Sequence, residues 1–160
     1  MPKTKLWSTT LTERIRGGLL AAAFAVLTLM AFTAAADAAV GCYGDYCSGQ
    51  NPEDTYNSTT GRWCSAGAST VASARIYGST SWVELRWSPN CQTNWARVSS
   101  GYGTIYPWAL RAVQCATGYT QAGVVASSTD YSWSRMIYSP VKTVRASWTG
   151  PPGPNGTACA

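Results

Sequence analysis

Six cysteines constrain this chain more than any other feature of its sequence. They stand at positions 42, 47, 64, 91, 115 and 159, all behind an apolar N-terminal leader. An even number of cysteines in a small exported chain predicts a set of disulfide bonds, here three. The sequence has no CxxC pair and no histidine, which argues against a zinc site. We therefore predict a disulfide-bonded domain with no metal site and no cofactor.

The first 38 residues have the order of a secretory signal peptide. Basic residues come first, at Lys3, Lys5, Arg14 and Arg16. An alanine-rich apolar run without charge follows over residues 17–36. We expect cleavage after Ala36 or Ala38, a secreted product and no stable membrane insertion. The alternative is an uncleaved anchor, since about 20 apolar residues can span a bilayer.

The charge that remains after cleavage is small. The leader holds four of the 12 basic and two of the 7 acidic residues, so residues 39–160 carry a net charge of +3. The arginines of that part are spread singly along the chain. Nucleic-acid-binding domains cluster their basic residues, so no nucleic-acid partner is predicted.

The segment 39–62 is rich in Gly, Asn, Pro, Asp, Ser and Thr, which predicts a loop. We predict that Cys42 and Cys47 close a small ring with Gly44 at the bend, because a short ring loses little entropy on closure. Such a ring would stabilise the fold only slightly. It would hold three side chains outward, namely Tyr43, Asp45 and Tyr46. The alternative is that the ring only caps a floppy terminus.

The remaining four cysteines are paired by strand register. Residues 68–77 and 82–88 predict a hairpin centred near residue 78 or 79, which places Cys64 opposite Cys91. Cys115–Cys159 then follows by elimination. The main alternative joins Cys91 to Cys115 and Cys64 to Cys159, and six cysteines allow fifteen connectivities in all.

Seven segments of the mature chain predict β-strands from their alternation of side chains and from the turn residues between them: 68–77, 82–88, 93–99, 105–116, 119–126, 131–139 and 143–148. No helical periodicity follows the leader. We predict an all-β fold, a small antiparallel barrel or sandwich of six to eight short strands. The mature chain is divided into an N-terminal loop segment, 39–62, and a β domain, 63–160, with a Pro/Gly tail that is mobile unless Cys159 fixes it.

Catalysis is not expected. Without histidine, the usual Ser-His-Asp and Cys-His nucleophile systems are excluded. A carboxylate pair of the glycosidase type needs two acids across a cleft, and Glu84 with Asp130 is the only pair that we considered. Glu84, Arg86, Trp95 and Arg97 are interpreted instead as a structural group, with a cross-strand ion pair and a guanidinium stacked on Trp82 or Trp95.

Three motifs carry a resemblance to a known family: CYGDYCSGQNPE, VELRWSPNCQTNWARV and SRMIYSPVKTVRASW. They resemble the YjfA-like family of small secreted domains, mainly actinobacterial, which have no assigned activity. The resemblance covers about residues 41–148. Family members often carry a cysteine where this chain has Thr143, whereas Cys115 is extra here. A borrowed disulfide pattern is therefore in doubt beyond Cys42–Cys47 and Cys64–Cys91.

The chain is also similar to the adaptor component of secreted umbrella-shaped toxin particles. That resemblance implies a bridge between a protease-like lectin and a large toxin subunit, with residues 42–47 as the inserting element: Cys42, Tyr43, Gly44, Asp45, Tyr46 and Cys47. We therefore predict a non-catalytic secreted adaptor. One alternative is a cell-wall or polysaccharide binder that uses exposed aromatics, namely Tyr102, Tyr106, Trp108, Tyr119 and Tyr131. The other is a protease inhibitor.

Overall fold

Two antiparallel sheets make up most of the molecule, with a small parallel pair at the N-terminal side. The computed structural model describes residues 39–99, 109–122, 124–127, 131–151 and 153–160. The predicted leader, its cleavage site and residues 100–108 lie outside the described residues. No α-helix occurs within the described residues. In that same part of the chain, no helix is long and apolar enough to cross a membrane.

Twelve strands occur in the described residues, in this order: β1 Val40–Cys42, β2 Thr55–Asn57, β3 Ser69–Arg75, β4 Trp82–Ser88, β5 Thr93–Ser99, β6 Leu110–Gln114, β7 Thr120–Ala122, β8 Val124–Ser127, β9 Tyr131–Ser134, β10 Ile137–Tyr138, β11 Val144–Trp148 and β12 Asn155–Gly156. The all-β prediction is confirmed. The predicted number of strands was too low, because β1, β2 and β12 form in segments interpreted as loop and two predicted strands each divide in two.

The larger sheet has six strands in the order β3-β4-β5-β9-β8, with β10 also paired to β5. Strands β4 and β5 have the bounds that the alternation predicted. The predicted hairpin is present, with a register shift between Thr70 and Ala72. Side chains on β4 alternate, so that Val83 and Leu85 face the interior while Glu84 and Arg86 lie on the outer face.

The smaller sheet has four strands in the order β12-β11-β6-β7. The predicted strand over residues 119–126 divides between the sheets, because β7 pairs with β6 while β8 pairs with β9. The predicted strand over residues 131–139 is interrupted after Ser134. There the backbone of Met136 bonds to Gly49 and Gln50 of the N-terminal segment.

The tail was expected to be mobile unless Cys159 fixed it, and it is fixed over residues 153–160. Cys159 is bonded to Cys115, and the backbone N–H of Ala160 donates to Val144 O at 3.0 Å. The backbone N–H of Val144 donates back to Ala160 O at 2.9 Å. Strand β12 also pairs with β11. The last residues of the chain therefore complete the smaller sheet.

The main core lies between the two sheets. Both contribute fully buried side chains, so the architecture is a sandwich and not a closed barrel. Its buried members are Ile76, Val83, Leu85, Ala96, Val98, Ala109, Leu110, Ala112, Ile137, Val144, Ala146 and Trp148. Burying one large aliphatic side chain contributes about 1.5–3 kcal/mol. Strands β4, β5, β6 and β11 therefore carry most of the stability.

The three disulfides are Cys42–Cys47, Cys64–Cys91 and Cys115–Cys159. They are the pairs that the ring, the hairpin register and elimination favoured, and the alternative pairing is not present. The described residues hold no free cysteine. The second bridge joins the turn end of the β4–β5 hairpin to the loop between β2 and β3. The third joins the tail to the residue after β6.

Candidate functional site

The ring is a single 3-10 turn, Gly44–Cys47, that directly follows β1. Its bend lies at Gly44, where φ is +58°, a conformation that residues with a Cβ rarely adopt. The backbone N–H of Ser48 donates to Asp45 O at 2.9 Å and closes the turn. The predicted bend at Gly44 is therefore present, and the disulfide joins the two ends of the turn.

The two cysteines of the ring point inward. Cys42 is 3% exposed and Cys47 is fully buried. They pack in a second core, called here the cysteine core, whose buried members are Cys42, Cys47, Cys64, Cys91, Trp95 and Met136. The ring therefore packs, through its two cysteines, on the outer face of the larger sheet.

Three sulfurs of the cysteine core, those of Cys42, Cys47 and Cys91, lie within 4.8 Å of one another. Such a cluster has the spacing of a metal site, but each of these sulfurs is in a disulfide bond. A cysteine binds a metal as a thiolate, and a disulfide has none to offer. The cluster is therefore a packing element in this oxidised state.

The side chains between the two cysteines point outward. Tyr46 is 84% exposed, Tyr43 is 66% exposed and the Asp45 side chain is exposed as well. Sequence reasoning placed these three residues together and facing solvent, and the structure does the same. The six-residue ring thus has two buried cysteines at its base and exposes two aromatic rings and one carboxylate.

A strap of four residues behind the ring, 48–51, fixes it to the larger sheet. The backbone N–H of Gly49 donates to Met136 O at 2.9 Å, and the Met136 N–H donates to Gln50 O at 3.0 Å. The Trp133 indole N–H donates to Asn51 Oδ1 at 3.0 Å. Sequence analysis missed this strap, since backbone partners leave no signature in the residue types.

The segment 39–61 differs in charge from residues 62–160. It contains three acidic residues, Asp45, Glu53 and Asp54, and no basic one. Residues 62–160 contain eight basic and two acidic residues. The net charge of +3 over residues 39–160 is therefore the sum of a negative segment and a positive sandwich. Asp45 and Glu53 are exposed, so the negative charge of the segment lies at the surface.

The predicted ion pair is present on the outer face of the larger sheet. Arg97 Nε donates to Glu84 Oε2 at 2.6 Å, and the two residues are directly opposite in the β4–β5 register. The guanidinium of Arg97 lies 4.1 Å from the centre of the Tyr131 ring. Stacking on Trp82 or Trp95 was the wrong expectation for Arg97, because Trp95 is buried in the cysteine core and Arg97 leans toward β9.

Arg86 holds the start of β3. Its guanidinium donates to Thr70 Oγ1 and to Ala68 O. Burial lowers the pKa of Arg86, and the nearby Arg97 charge lowers it further. The ordinary value is so high that Arg86 stays charged near neutral pH. Its contacts are structural, which matches the role predicted for it.

The other candidate sites are not assembled in the described residues. Asp130, the proposed partner of Glu84, lies outside them, and Glu84 is engaged by Arg97. Of the five platform aromatics, Tyr102, Tyr106 and Trp108 also lie outside. Tyr119 and Tyr131 are on different sheets, and Tyr131 contacts Arg97. These residues form no shared stacking surface in the described part of the chain.

The fold and the site define a small β sandwich, stapled by disulfides, that displays a tethered cysteine ring. The chain belongs to the family described as "Protein of unknown function (DUF2690)", whose model matches residues 45–149. No curated protein matches the chain. No solved structure matches it either. Membership of the family assigns no activity.

Proposed function

We propose that this protein is a secreted, non-catalytic adaptor whose cysteine ring inserts into a cleft of a partner protein. The observation that carries the proposal is the division of the ring into a buried half and an exposed half. The two cysteines are 3% and 0% exposed, whereas Tyr43 and Tyr46 are 66% and 84% exposed. Tyrosine has a large apolar ring with a polar tip and is enriched at interfaces, so two exposed tyrosines on one turn offer a contact surface to a partner.

Rigidity supports a binding role. A protein interface loses free energy when loops and side chains are ordered on association. Here the disulfide, the 3-10 turn and the strap already hold the ring in one conformation. Tyrosine is also enriched among the residues that dominate binding energy in interfaces. A rigid turn with two exposed tyrosines suits insertion into a preformed cleft.

Charge suggests the chemistry of the partner's cleft. The ring carries Asp45 and no basic residue occurs between residues 39 and 61. Complementary potentials steer association and fix orientation. We expect the partner surface that receives the ring to be positively charged and lined with aromatic or apolar side chains.

The identity of the partners follows from the resemblance to the adaptor of umbrella-shaped toxin particles. On that proposal, the ring binds a protease-like lectin, and the positive sandwich binds a large toxin subunit. Export is supported by three disulfides, which persist in oxidising compartments. A non-catalytic role is supported by the lack of histidine and by the ion pair that occupies Glu84.

The test compares two variants of the tagged, secreted protein in pull-downs from the culture supernatant of the producing organism. Tyr43→Ala with Tyr46→Ala removes both exposed rings of the turn. Tyr77→Ala is the matched control, because Tyr77 is 81% exposed on the turn between β3 and β4. Partners identified by mass spectrometry are then purified, and their Kd is measured by biolayer interferometry.

We expect the double variant to weaken binding of the ring partner at least 100-fold, since two interface anchors of about 2 kcal/mol each are removed. The control should bind as the wild type does. Absence of any stoichiometric partner, or equal binding by the double variant, would rule out the adaptor role. If the partner proves to be an active protease that the wild-type protein inhibits, the function is protease inhibition and not that of an adaptor.

A further inference from the structure

A hollow of about 400 Å³ lies beside the ring, at the junction of the N-terminal segment and both sheets. The ring contributes Asp45 and the smaller sheet contributes Gln114 and Tyr119. Tyr138 of β10 and Lys142 of the following turn close the other side. Its volume is at the lower end of the range for small-molecule sites, roughly 300–1,000 Å³.

The walls of the hollow are held by hydrogen bonds and need no rearrangement. The backbone N–H of Tyr138 donates to Ser48 Oγ at 2.9 Å, and the Tyr138 hydroxyl donates to Gln92 Oε1 at 3.2 Å. The Gln114 N–H donates to Tyr119 O at 2.8 Å. The first two bonds fix Tyr138 relative to the strap and to the larger sheet, and the third fixes the backbone of Tyr119 to β6.

Two charged groups at the hollow have no partner in the part of the chain that the structure describes. The Asp45 carboxylate and the Lys142 ammonium make no hydrogen bond and no ion pair there. One accepts and the other donates hydrogen bonds. The hollow thus offers an acceptor, a donor and two tyrosines to a ligand, with Ile137 as its one large aliphatic residue.

We propose that this hollow binds a glycan, over one or two pyranose rings. A pyranose has hydroxyls that both donate and accept, and apolar C–H faces that pack on aromatic rings, which matches this lining. Little of the Ile137 side chain is available to a ligand, because that residue is 1% exposed. The Asp45 carboxylate disfavours a phosphate. This inference goes beyond the adaptor function, since Tyr119 and Lys142 lie outside the ring.

The test is an NMR titration of the disulfide-intact secreted protein with two soluble probes, a trisaccharide of N-acetylglucosamine and maltotriose. A tripeptide serves as a third probe. We expect saturable shifts with at least one saccharide, centred on the amides of residues 45, 119 and 138. Sedimentation with insoluble peptidoglycan then distinguishes a wall glycan from a free oligosaccharide.

Tyr119→Ala and Lys142→Met should each raise the saccharide Kd at least tenfold. Lys142 is exposed, so its variant retains the fold even if Tyr119→Ala does not. Tyr77→Ala and the ring pair Tyr43→Ala with Tyr46→Ala should leave the saccharide Kd unchanged, which separates this site from the adaptor function. Lack of saturable shifts with both saccharides, unchanged binding by both site variants, or shifts with the tripeptide alone would overturn the proposal.

Discussion

The core between the sheets and the cysteine core hold two different kinds of structure. The first is aliphatic and is supplied by strands that alternate between the two faces of a sheet. The second contains four half-cystines with Trp95 and Met136. Two of its members, Cys42 and Cys47, come from the segment 39–62, which has few apolar residues. A segment too polar to form a core of its own is thereby fixed to the larger sheet. We infer that the main core carries most of the stability of the fold and that the cysteine core mainly orders the ring.

The largest expected effect tests the main core. Trp148 is the largest fully buried side chain among the described residues, and Trp148→Ala should lower the free energy of unfolding by about 3–5 kcal/mol, since a large cavity is left. Urea unfolding followed by circular dichroism measures it. Trp82→Ala, at a site 47% exposed, is the control and should change stability by less than about 1 kcal/mol. Equal losses of unfolding free energy in Trp148→Ala and Trp82→Ala would contradict the role of the main core as the main source of stability.

The second prediction compares two disulfides of the cysteine core. Cys64→Ala with Cys91→Ala opens a bridge of sequence separation 27, and Cys42→Ala with Cys47→Ala opens one of separation 5. Because the entropy of the unfolded chain depends on loop length, we expect losses of about 3.5 and about 2 kcal/mol. Urea unfolding under non-reducing conditions gives both values.

Hydrogen exchange sharpens the same comparison. Opening the Cys42–Cys47 bridge should remove exchange protection from the backbone N–H groups of Gly49 and Ser58, which donate to Met136 O and Cys42 O. Amides in β4 and β5 should keep their protection. Loss of protection throughout the sandwich would show that the ring and the sandwich unfold as one unit, contrary to this interpretation.

The smallest effect comes from two matched glycines. Gly44 in the ring and Gly118 in the turn between β6 and β7 have φ of +58° and +71°, and an added Cβ would meet no atom within 4 Å at either one. Alanine at each position adds backbone strain of about 1–2 kcal/mol. We expect Gly118→Ala to lower the global free energy of unfolding, whereas Gly44→Ala lowers mainly the local opening free energy of the ring amides. Equal global losses in urea would contradict the separation of the two regions.

Much of the sandwich was predictable from local pattern. The alternation over residues 82–88 and 93–99 predicted both strands with their observed bounds. Successive side chains of a strand point to opposite faces, so Ala96 and Val98 of β5 enter the main core while Trp95 enters the cysteine core. The hairpin register identified the partner of Cys64, since a bridge near a hairpin end must join residues that are nearly opposite. The ring was predictable because two cysteines separated by four residues, with a glycine between them, close easily.

The alternation of side chains and the residue types did not predict structure where the strand, ring or hydrogen-bond partner comes from a distant part of the chain. The run over residues 119–126 alternates like one strand, yet β7 and β8 belong to different sheets. A guanidinium was expected to stack on Trp82 or Trp95, but β9 brings Tyr131 beside Arg97. The strap over residues 48–51 bonds to the backbone of Met136 and Tyr138 and to the Trp133 indole, and its residue types predicted only a loop.

By itself, the sequence determined the all-β class, the two central strands, the hairpin and the composition of the ring, because these depend on side-chain period and on short loop closure. Tertiary structure alone decided that the cysteines of the ring are buried against the larger sheet. It also brought Asp45, Tyr119 and Lys142, up to 97 positions apart, to one hollow. Such contacts depend on how two sheets and a segment pack together, and no local pattern records that packing.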